Sequence, residues 1–194
     1  MKIKYDTLSM IPPATGQTVQ PGLSGALTGR CGNELVVAGG SNFEGDLPWR
    51  GGTKLYHDDI YILKTDTDGQ LTWIQPNQKL PEPVAYPANI QTSDGFISIG
   101  GENQAGMLTG VSKISVADDS LEIKALPSLP VGLSSAGAAL LDSQLYVCSG
   151  LDSTGASNKI FCLNLSDLSS GWKNLPDLPQ ALSHAVVAAQ SDGN

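Results

Sequence analysis

One stretch occurs in two similar versions in this 194-residue chain, as IKALPSLP at residues 123–130 and as WKNLPDLP at residues 172–179. Its closing Leu-Pro pairs lie 49 residues apart, and a third Leu-Pro pair, at residues 80–81, lies another 49 residues upstream. A fixed period of this length is typical of repeat architectures, in which each period is one structural unit. The sequence therefore predicts a series of similar units.

Two further landmarks return in the same units. Apolar runs end in a pair of small residues at 39–40, 100–101 and 149–150, and a segment of small residues follows each Leu-Pro pair. With two later apolar runs, each unit reads as four short strands, which is typical of a kelch propeller blade. We predict an all-β, kelch-type β-propeller with about three four-stranded blades, half of a six-bladed ring. A β-sandwich would not explain the period.

The repeats give the domain organisation of residues 1–194 as a partial kelch propeller. The predicted parts are a fourth strand of a preceding blade at 1–13, blades at 22–76, 84–125 and 133–175, and the first strand of a further blade at 183–190. The first blade is longer because of an insertion at 41–57. Since propellers close with 4–8 blades, we expect either a fragment of a longer protein or a homodimer that completes the ring.

Composition excludes several classes of partner. Eleven Lys and Arg against 19 Asp and Glu give a net charge of −8, which argues against nucleic acid and against a polybasic membrane anchor. No apolar run approaches the roughly 18 residues of a membrane span, and the first residues lack a secretory signal. Three cysteines without CxxC spacing indicate free thiols rather than a metal site.

The insertion is the first candidate site. It combines aromatic side chains, which can stack on a sugar, with polar side chains, which can form hydrogen bonds to its hydroxyl groups. Long loops on rigid scaffolds also often carry function. We therefore predict Asn42, Trp49 and Arg50 as substrate-binding residues. The alternative is that the loop packs over one face of the blade, with Trp49 as its own small core.

A second set of candidates lies near the predicted propeller axis. Tyr86 and His184 occupy equivalent positions in the small-residue segments, so both are predicted to face the channel and bind substrate; a structural role is the alternative for His184. Glu102 follows a Gly-Gly pair, and it is a candidate general base if burial raises its pKa. A solvated loop glutamate is the alternative interpretation.

Four motifs make a family resemblance specific: PGLSGA at 21–26, VVAGGSNF at 36–43, PWRGG at 48–52 and HDDIY at 57–61. They resemble the cyclically permuted branch of the sialic acid mutarotases, also called N-acetylneuraminate epimerases, kelch-like proteins of bacterial sialate use. The resemblance implies a six-bladed propeller that interconverts the α and β anomers of sialic acid by acid/base ring opening, without a metal or cofactor. It also implies a periplasmic location, although no signal peptide is visible.

The resemblance has one clear departure. It implies a catalytic Glu after a Gly-rich strand end and an Arg six residues later, in a blade beyond this chain. The nearest match here is Glu102, which is followed six residues later by Leu108, so the catalytic pair is not transferred. One interpretation is an inactive half of a mutarotase. The alternative is a non-catalytic kelch module that binds carbohydrate or protein, because a fold does not determine function.

Overall fold

The computed structural model describes residues 9–190, and these residues form short strands with only two single-turn 3-10 helices, Pro48–Arg50 and Leu168–Ser170. The strands are β1 (Leu27–Cys31), β2 (Glu34–Ala38), β3 (Ser41–Glu44), β4 (Thr53–Tyr56), β5 (Ile60–Thr65), β6 (Leu71–Ile74), β7 (Ala88–Thr92), β8 (Gly95–Ile99), β9 (Glu102–Asn103), β10 (Gly106–Met107), β11 (Val111–Ala117), β12 (Ser120–Ala125), β13 (Gly137–Leu141), β14 (Gln144–Cys148), β15 (Leu151–Asp152), β16 (Gly155–Ala156), β17 (Ile160–Asn164) and β18 (Trp172–Leu175).

The strands form three four-stranded antiparallel sheets of the same topology. The orders are β1-β2-β5-β6, β7-β8-β11-β12 and β13-β14-β17-β18. A two-stranded hairpin lies between the second and third strands of each sheet: β3–β4, β9–β10 and β15–β16. This threefold repetition confirms the predicted all-β, kelch-type propeller architecture with three four-stranded blades.

The predicted insertion at 41–57 is the longest of these hairpins. Strands β3 and β4 pair from Ser41 opposite Tyr56 to Glu44 opposite Thr53, and the 3-10 helix Pro48–Arg50 lies in the connection. The other two hairpins occupy the same place but pair only two residues on each strand. The extra residues of the first blade therefore lengthen an existing element.

The hydrophobic core lies between the sheets. Phe96 of β8 is fully buried in a cluster with Val36 and Ile62 of the first sheet. Its neighbour Ile97 belongs to a second cluster with Leu145 of the third sheet. Successive residues of a strand point to opposite faces, so a sheet with neighbours on both sides needs a continuous apolar run. All five residues of β8 are accordingly buried.

Backbone hydrogen bonds explain the period of the Leu-Pro pairs. The amide of Leu80 donates to the carbonyl of Asp58 at 2.9 Å, and those of Leu129 and Leu178 donate to the equivalent carbonyls of Thr109 and Asn158 at 2.8 Å. Each bond ties the segment that leads to the next blade to the residue two positions before the third strand of the blade just completed. The proline that follows has no amide to donate and does not extend the pairing.

The pairs of small residues at 39–40, 100–101 and 149–150 are explained by the same junctions. The second residue of each pair donates its amide to the segment before the next sheet: Gly40 to Val84 at 2.7 Å, Gly101 to Leu133 at 2.8 Å and Gly150 to Leu182 at 2.9 Å. A Cβ atom on Gly100 would lie 2.2 Å from the Leu133 carbonyl oxygen. Only a residue without a side chain fits that approach without displacing backbone.

The sequence pattern predicts each small-residue segment to be the first of the four strands of a blade, and this prediction is wrong. The strands begin later, because one residue in each segment has a left-handed backbone: Gly25 (φ 62°), Tyr86 (54°), Ser135 (50°) and His184 (58°). These residues are linked in series, since Tyr86 donates its amide to Gly25, Ser135 to Tyr86 and His184 to Ser135 at 2.7–3.0 Å. We call this series the axial ladder.

The two outer segments differ from the prediction or lie partly outside the structure. Residues 1–8 of the strand predicted at 1–13 lie outside the described residues, and residues 9–13 form no strand. The strand predicted at 183–190 is not formed either. In each of the three sheets the first strand pairs only with the second, and the described residues after 183 contain no second strand to pair with.

Candidate functional site

Glu102 lies where three blades meet. It belongs to β9, directly after Gly101, and its backbone is bridged to Ala85 of the same blade. One carboxylate oxygen accepts hydrogen bonds from Lys54 Nζ at 2.6 Å and from the Tyr56 hydroxyl at 2.9 Å, both in the first blade. The other accepts from the Ser134 hydroxyl at 3.0 Å, in the segment that leads to the third sheet.

Strand β4 presents Lys54 and Tyr56 to Glu102 because residues two apart lie on the same face of a strand. The intervening Leu55 lies on the other face, opposite Asn42. The side chain of Glu102 is 14% exposed and that of Lys54 is 28% exposed. An ion pair this sheltered is screened less by solvent than a surface pair.

Tyr86 extends the cluster to the axial ladder. The Lys54 ammonium lies 4.5 Å from the centre of the Tyr86 ring and 5.0 Å from that of Tyr56, close enough for cation–π attraction to both. The Tyr86 and Ser24 hydroxyls are hydrogen-bonded at 2.9 Å. We call the whole group the axial cluster; its members are Ser24, Lys54, Tyr56, Tyr86, Glu102 and Ser134.

The electrostatics of Glu102 differ from those that a general base requires. Burial by itself raises the pKa of the carboxyl, but the hydrogen bonds from Lys54, Tyr56 and Ser134 outweigh burial, and the pKa is lowered overall. The condition under which Glu102 was predicted as a general base, a raised pKa, is therefore not met. The carboxylate stays ionised and holds its donors in place.

The pKa of the Tyr86 phenol is also lowered. Its hydrogen bond with Ser24 lowers the pKa of the phenol, burial raises it, and the nearby Lys54 ammonium lowers it again, so that the pKa is below that of an ordinary tyrosine. The phenol of Tyr56 behaves differently: burial and its bond to the Glu102 carboxylate raise its pKa. Of the two phenols, Tyr86 releases its proton more readily.

The structure brings Glu102 and Tyr86 into one cluster, and it places His184 in a depression that Tyr86 also lines. Asn42 lies on the other face of the β3–β4 hairpin, where its Oδ1 is 3.0 Å from His57 Nε2. Trp49 and Arg50 lie in the connection of that hairpin, and Trp49 is 77% exposed, so it forms no small core of its own. His184 continues the axial ladder and is exposed, with Nδ1 3.1 Å from the Ser183 hydroxyl.

Four residues of the axial cluster were not predicted as site residues. Lys54 and Tyr56 lie within the recognised insertion, but their alternation on one strand becomes visible only when that insertion is a hairpin. Ser134 reaches Glu102 across 32 positions in the sequence, and Ser24 pairs with Tyr86 across 62. For Ser24 and Ser134 the repeat was the available signal, because both lie in its small-residue segments.

Within residues 9–190, no three His, Cys, Asp or Glu residues are grouped so that they could hold a metal ion. The same part of the chain has no helix with the length and hydrophobicity to cross a membrane.

Comparison with known proteins bears on the same region of the chain. The family model for N-acetylneuraminate epimerase matches residues 1–123, which include five of the six residues of the axial cluster. This chain belongs to the N-acetylneuraminate epimerase family. The resemblance of the sequence motifs to that family is thereby confirmed.

Individual members of the family are similar over part of their length. The N-acetylneuraminate epimerase of Brucella melitensis is 33% identical over 111 residues, 53% of this chain and 27% of that protein. The Vibrio vulnificus protein of the same name is 36% identical over 101 residues, 47% of this chain and 25% of that one. The Salmonella enteritidis protein is 30% identical over 133 residues, 63% and 33% respectively. The chain thus matches a quarter to a third of these relatives' length.

A solved structure supports the fold. The structure of YjhT superposes on 83% of this chain and 54% of its own, with a TM-score of 0.64 and 14% sequence identity. At that identity the likeness concerns the arrangement of the blades and not the chemistry of individual residues.

Proposed function

We propose that the axial cluster is this chain's part of a site that interconverts the anomers of N-acetylneuraminate in the whole protein. The observation that carries the proposal is the sheltered Lys54–Glu102 pair beside the Tyr86 phenol, next to the axial ladder. Membership of the epimerase family supplies the substrate class. The mutarotation itself needs only proton transfer and a cation near the sugar carboxylate, and the cluster offers a cation and a proton donor.

In this proposal the residues have separate tasks. Mutarotation removes the proton of the anomeric hydroxyl and gives a proton to the ring oxygen as the ring opens to the keto form. On closure at the other face, the hydroxyl formed from the ring oxygen loses its proton and the anomeric oxygen gains one. Tyr86, whose pKa is lowered, donates the proton to the ring oxygen. Lys54 attracts the sugar carboxylate, and Glu102 positions Lys54 and Tyr56. The base that removes the anomeric proton is not assigned to this chain.

The remaining predicted residues keep weaker assignments. Trp49, Arg50 and His184 stay predictions as sugar contacts. Trp49 and Arg50 are exposed in the connection of the β3–β4 hairpin, and His184 is exposed in a depression that Tyr86 also lines. A non-catalytic kelch module remains the alternative function. It is favoured by one feature, the saturation of the Glu102 carboxylate by three donors, because a group so occupied serves binding and architecture more readily than proton transfer.

The test uses the full-length gene product and a freshly prepared single anomer of N-acetylneuraminate, with anomer exchange followed by one-dimensional NMR. We expect exchange faster than the spontaneous rate, and a fall of roughly 100-fold in the Tyr86→Phe variant if the phenol acts as a general acid. Tyr146→Phe, in the third sheet, is the matched control and should keep the rate. Sialate binding without acceleration would favour the binding module, and unchanged exchange in Tyr86→Phe would remove Tyr86 from the mechanism.

A further inference from the structure

Tyr86 belongs to two surfaces at once. In the axial cluster, the Lys54 ammonium lies 4.5 Å from the centre of its ring. The same tyrosine also lines a depression of about 320 Å³ beside the axial ladder, which we call the axial depression. The lining of this depression consists of the four ladder residues and of the Ala or Pro residue that directly follows each of them. Tyr86 therefore connects the sheltered cation to the axial depression.

The axial ladder places Tyr86 and His184 at equivalent positions of this depression. Their φ angles are 54° and 58°, and their amides donate to the preceding ladder residues, Gly25 and Ser135 respectively. Only Ser135 separates them along the ladder. Hydrogen-bonded chain segments lie roughly 5 Å apart, so the backbones of residues 86 and 184 are separated by about 10 Å. A single sugar with its side chain can bridge a distance of this order.

The axial depression offers hydrogen-bonding groups to a ligand. Ser135 contributes a hydroxyl and His184 an imidazole, and each of these groups can donate and accept. His184 is exposed, and its Nδ1 lies 3.1 Å from the Ser183 hydroxyl. With Nδ1 engaged by its neighbour, the imidazole meets a ligand through Nε2. Hydroxyl groups of a sugar are suitable partners for both side chains.

The position of Tyr86 limits how a sugar acid can lie here. In N-acetylneuraminate the carboxylate and the anomeric hydroxyl are attached to the same carbon, and the glycerol side chain lies at the far side of the ring. A carboxylate attracted by Lys54 therefore brings the anomeric carbon next to the Tyr86 phenol. The rest of the sugar has to extend from that point, and the axial depression adjoins the same phenol.

We propose that the axial depression receives the uncharged end of the sugar, and that His184 is a specificity-determining residue, which binds the terminal hydroxyls of the glycerol side chain through Nε2. This inference rests on the proposed function, because it takes the carboxylate to be bound at Lys54. The two equivalent ladder residues then have different tasks. Tyr86 acts at the anomeric centre, His184 recognises the far end of the sugar, and Ser135 borders the part between them.

The experiment measures anomer exchange of two sugars by the full-length gene product, N-acetylneuraminate and an analogue that lacks the last two carbons of the glycerol side chain. NMR at increasing sugar concentration gives KM and kcat. We expect His184→Ala to raise the KM of N-acetylneuraminate about tenfold and to leave kcat within about twofold, because a hydrogen bond to the bound sugar is lost. The analogue should have a raised KM with the wild type already, and His184→Ala should not raise it further.

Two more variants complete the comparison. His184→Gln keeps a side chain end that donates and accepts, so it should recover part of the affinity for N-acetylneuraminate. His57→Ala is the matched control, because it removes the other histidine, whose Nε2 is 3.0 Å from Asn42 Oδ1 on the far face of the β3–β4 hairpin. This control should change the KM of neither sugar.

The possible failures can be told apart. An equal rise in KM for both sugars would overturn the inference, since His184 would not then recognise the side chain. An unchanged KM in His184→Ala, or a fall in kcat alone, would overturn it as well. In these cases the wild type still accelerates exchange, and the proposed function stands. A wild type that accelerates the exchange of neither sugar contradicts the proposed function itself, and the assignment of His184 falls with it.

Discussion

Glu102 links the first, second and third blades through one carboxylate. Three donors converge on it, and its pKa in the folded chain is below the ordinary value of 4.5. A carboxyl whose pKa falls on folding stabilises the fold above its unfolded-state pKa, and this contribution is lost as the pH falls through the lower, folded-state pKa. Residue 102 should therefore determine part of the acid sensitivity of the protein.

The first prediction follows from that linkage. At neutral pH, Glu102→Gln should reduce the free energy of unfolding by about 1–2 kcal/mol, because charged hydrogen bonds are lost from a pair that solvent still reaches. The difference between wild type and variant should shrink as the pH drops below about 4.5. Urea unfolding at pH 7 and at stepwise lower pH measures it. A difference that stays constant with pH would show that ionisation of Glu102 contributes nothing to stability.

Ser149 stands where the other two blades have the first glycine of the Gly-Gly pair. Its φ is 60°, it is 1% exposed, and its hydroxyl has no hydrogen-bond partner. A left-handed backbone costs a non-glycine residue about 1–2 kcal/mol, and a buried unpaired hydroxyl adds to that cost. Replacing Ser149 by glycine would remove both costs, but glycine also makes the unfolded chain more flexible, which offsets part of the gain in stability.

The second prediction is that Ser149→Gly raises the free energy of unfolding by about 1 kcal/mol. The converse substitution, Gly100→Ser, should lower it by more, because a Cβ there would overlap the Leu133 carbonyl. Paired urea melts of the two variants measure both effects. Destabilisation by Ser149→Gly would mean that the hydroxyl has a stabilising partner, such as a bound water.

Strand β1 shows how closely neighbouring blades approach one another. Gly29 lies beneath the ring of Phe96, and a Cβ atom at residue 29 would lie 2.1 Å from that ring. Phe96 is fully buried in the first core cluster and has no room to move away. Overpacking of a tight core typically costs 1–3 kcal/mol.

The third prediction is that Gly29→Ala destabilises the chain by about 2–3 kcal/mol, near the upper end of that range. Gly22→Ala is the matched control, because a Cβ at residue 22 meets no atom within 4 Å and its backbone is not left-handed. The control should change stability by less than about 0.5 kcal/mol. Equal effects of the two substitutions would contradict the packing of β1 against β8.

The elements differ in how far the sequence alone predicts them. The strands were predictable because the Leu-Pro and Gly-Gly pairs make backbone contacts that every blade needs, and those contacts impose fixed spacing. The hairpin β3–β4 was not predictable as a hairpin, since its equivalents, such as β9–β10, are too short to show alternation. The axial cluster was predicted only in part, because the Lys54–Glu102 pair joins two blades and no local pattern encodes such a contact.

The axial ladder shows how successive blades are placed around the molecule. Each blade adds one hydrogen bond to it, from Tyr86 to Gly25, from Ser135 to Tyr86 and from His184 to Ser135. A left-handed residue at each step turns the chain from the junction into the next sheet. The same backbone geometry is met by Gly, Tyr, Ser and His, so the side chains at these positions are free to differ between blades and to carry function.

The first and third sheets each have an outward face with no neighbouring sheet among the described residues. On these faces, side chains are exposed or half-buried at positions whose equivalents in the middle sheet are fully buried. In the first sheet, Leu35 takes the position of Phe96 and is 39% exposed, whereas Phe96 is fully buried. In the third sheet, Tyr146 and Cys148 take the positions of Ile97 and Ile99 and are half-buried, whereas both isoleucines are about 1% exposed. By position, both outward faces are of the kind that a further blade covers in a propeller.

These faces lead to the last prediction, which concerns assembly. We propose that the 194-residue chain pairs with a second copy, the third sheet of each copy packing against the first sheet of the other, so that two contacts close a ring of six blades. Light scattering after size exclusion should give about twice the chain mass of 20.2 kDa. Tyr146→Glu should shift the mass to that of the monomer, because it places a charge in the contact, and Cys148 should then react faster with a thiol reagent.

Asn174→Glu, which adds the same charge at an exposed position in the same sheet, should leave the dimer intact. A wild-type monomer with one cooperative thermal transition would show instead that three blades are stable alone, and a mass change equal in both variants would show that the charge acts without regard to position.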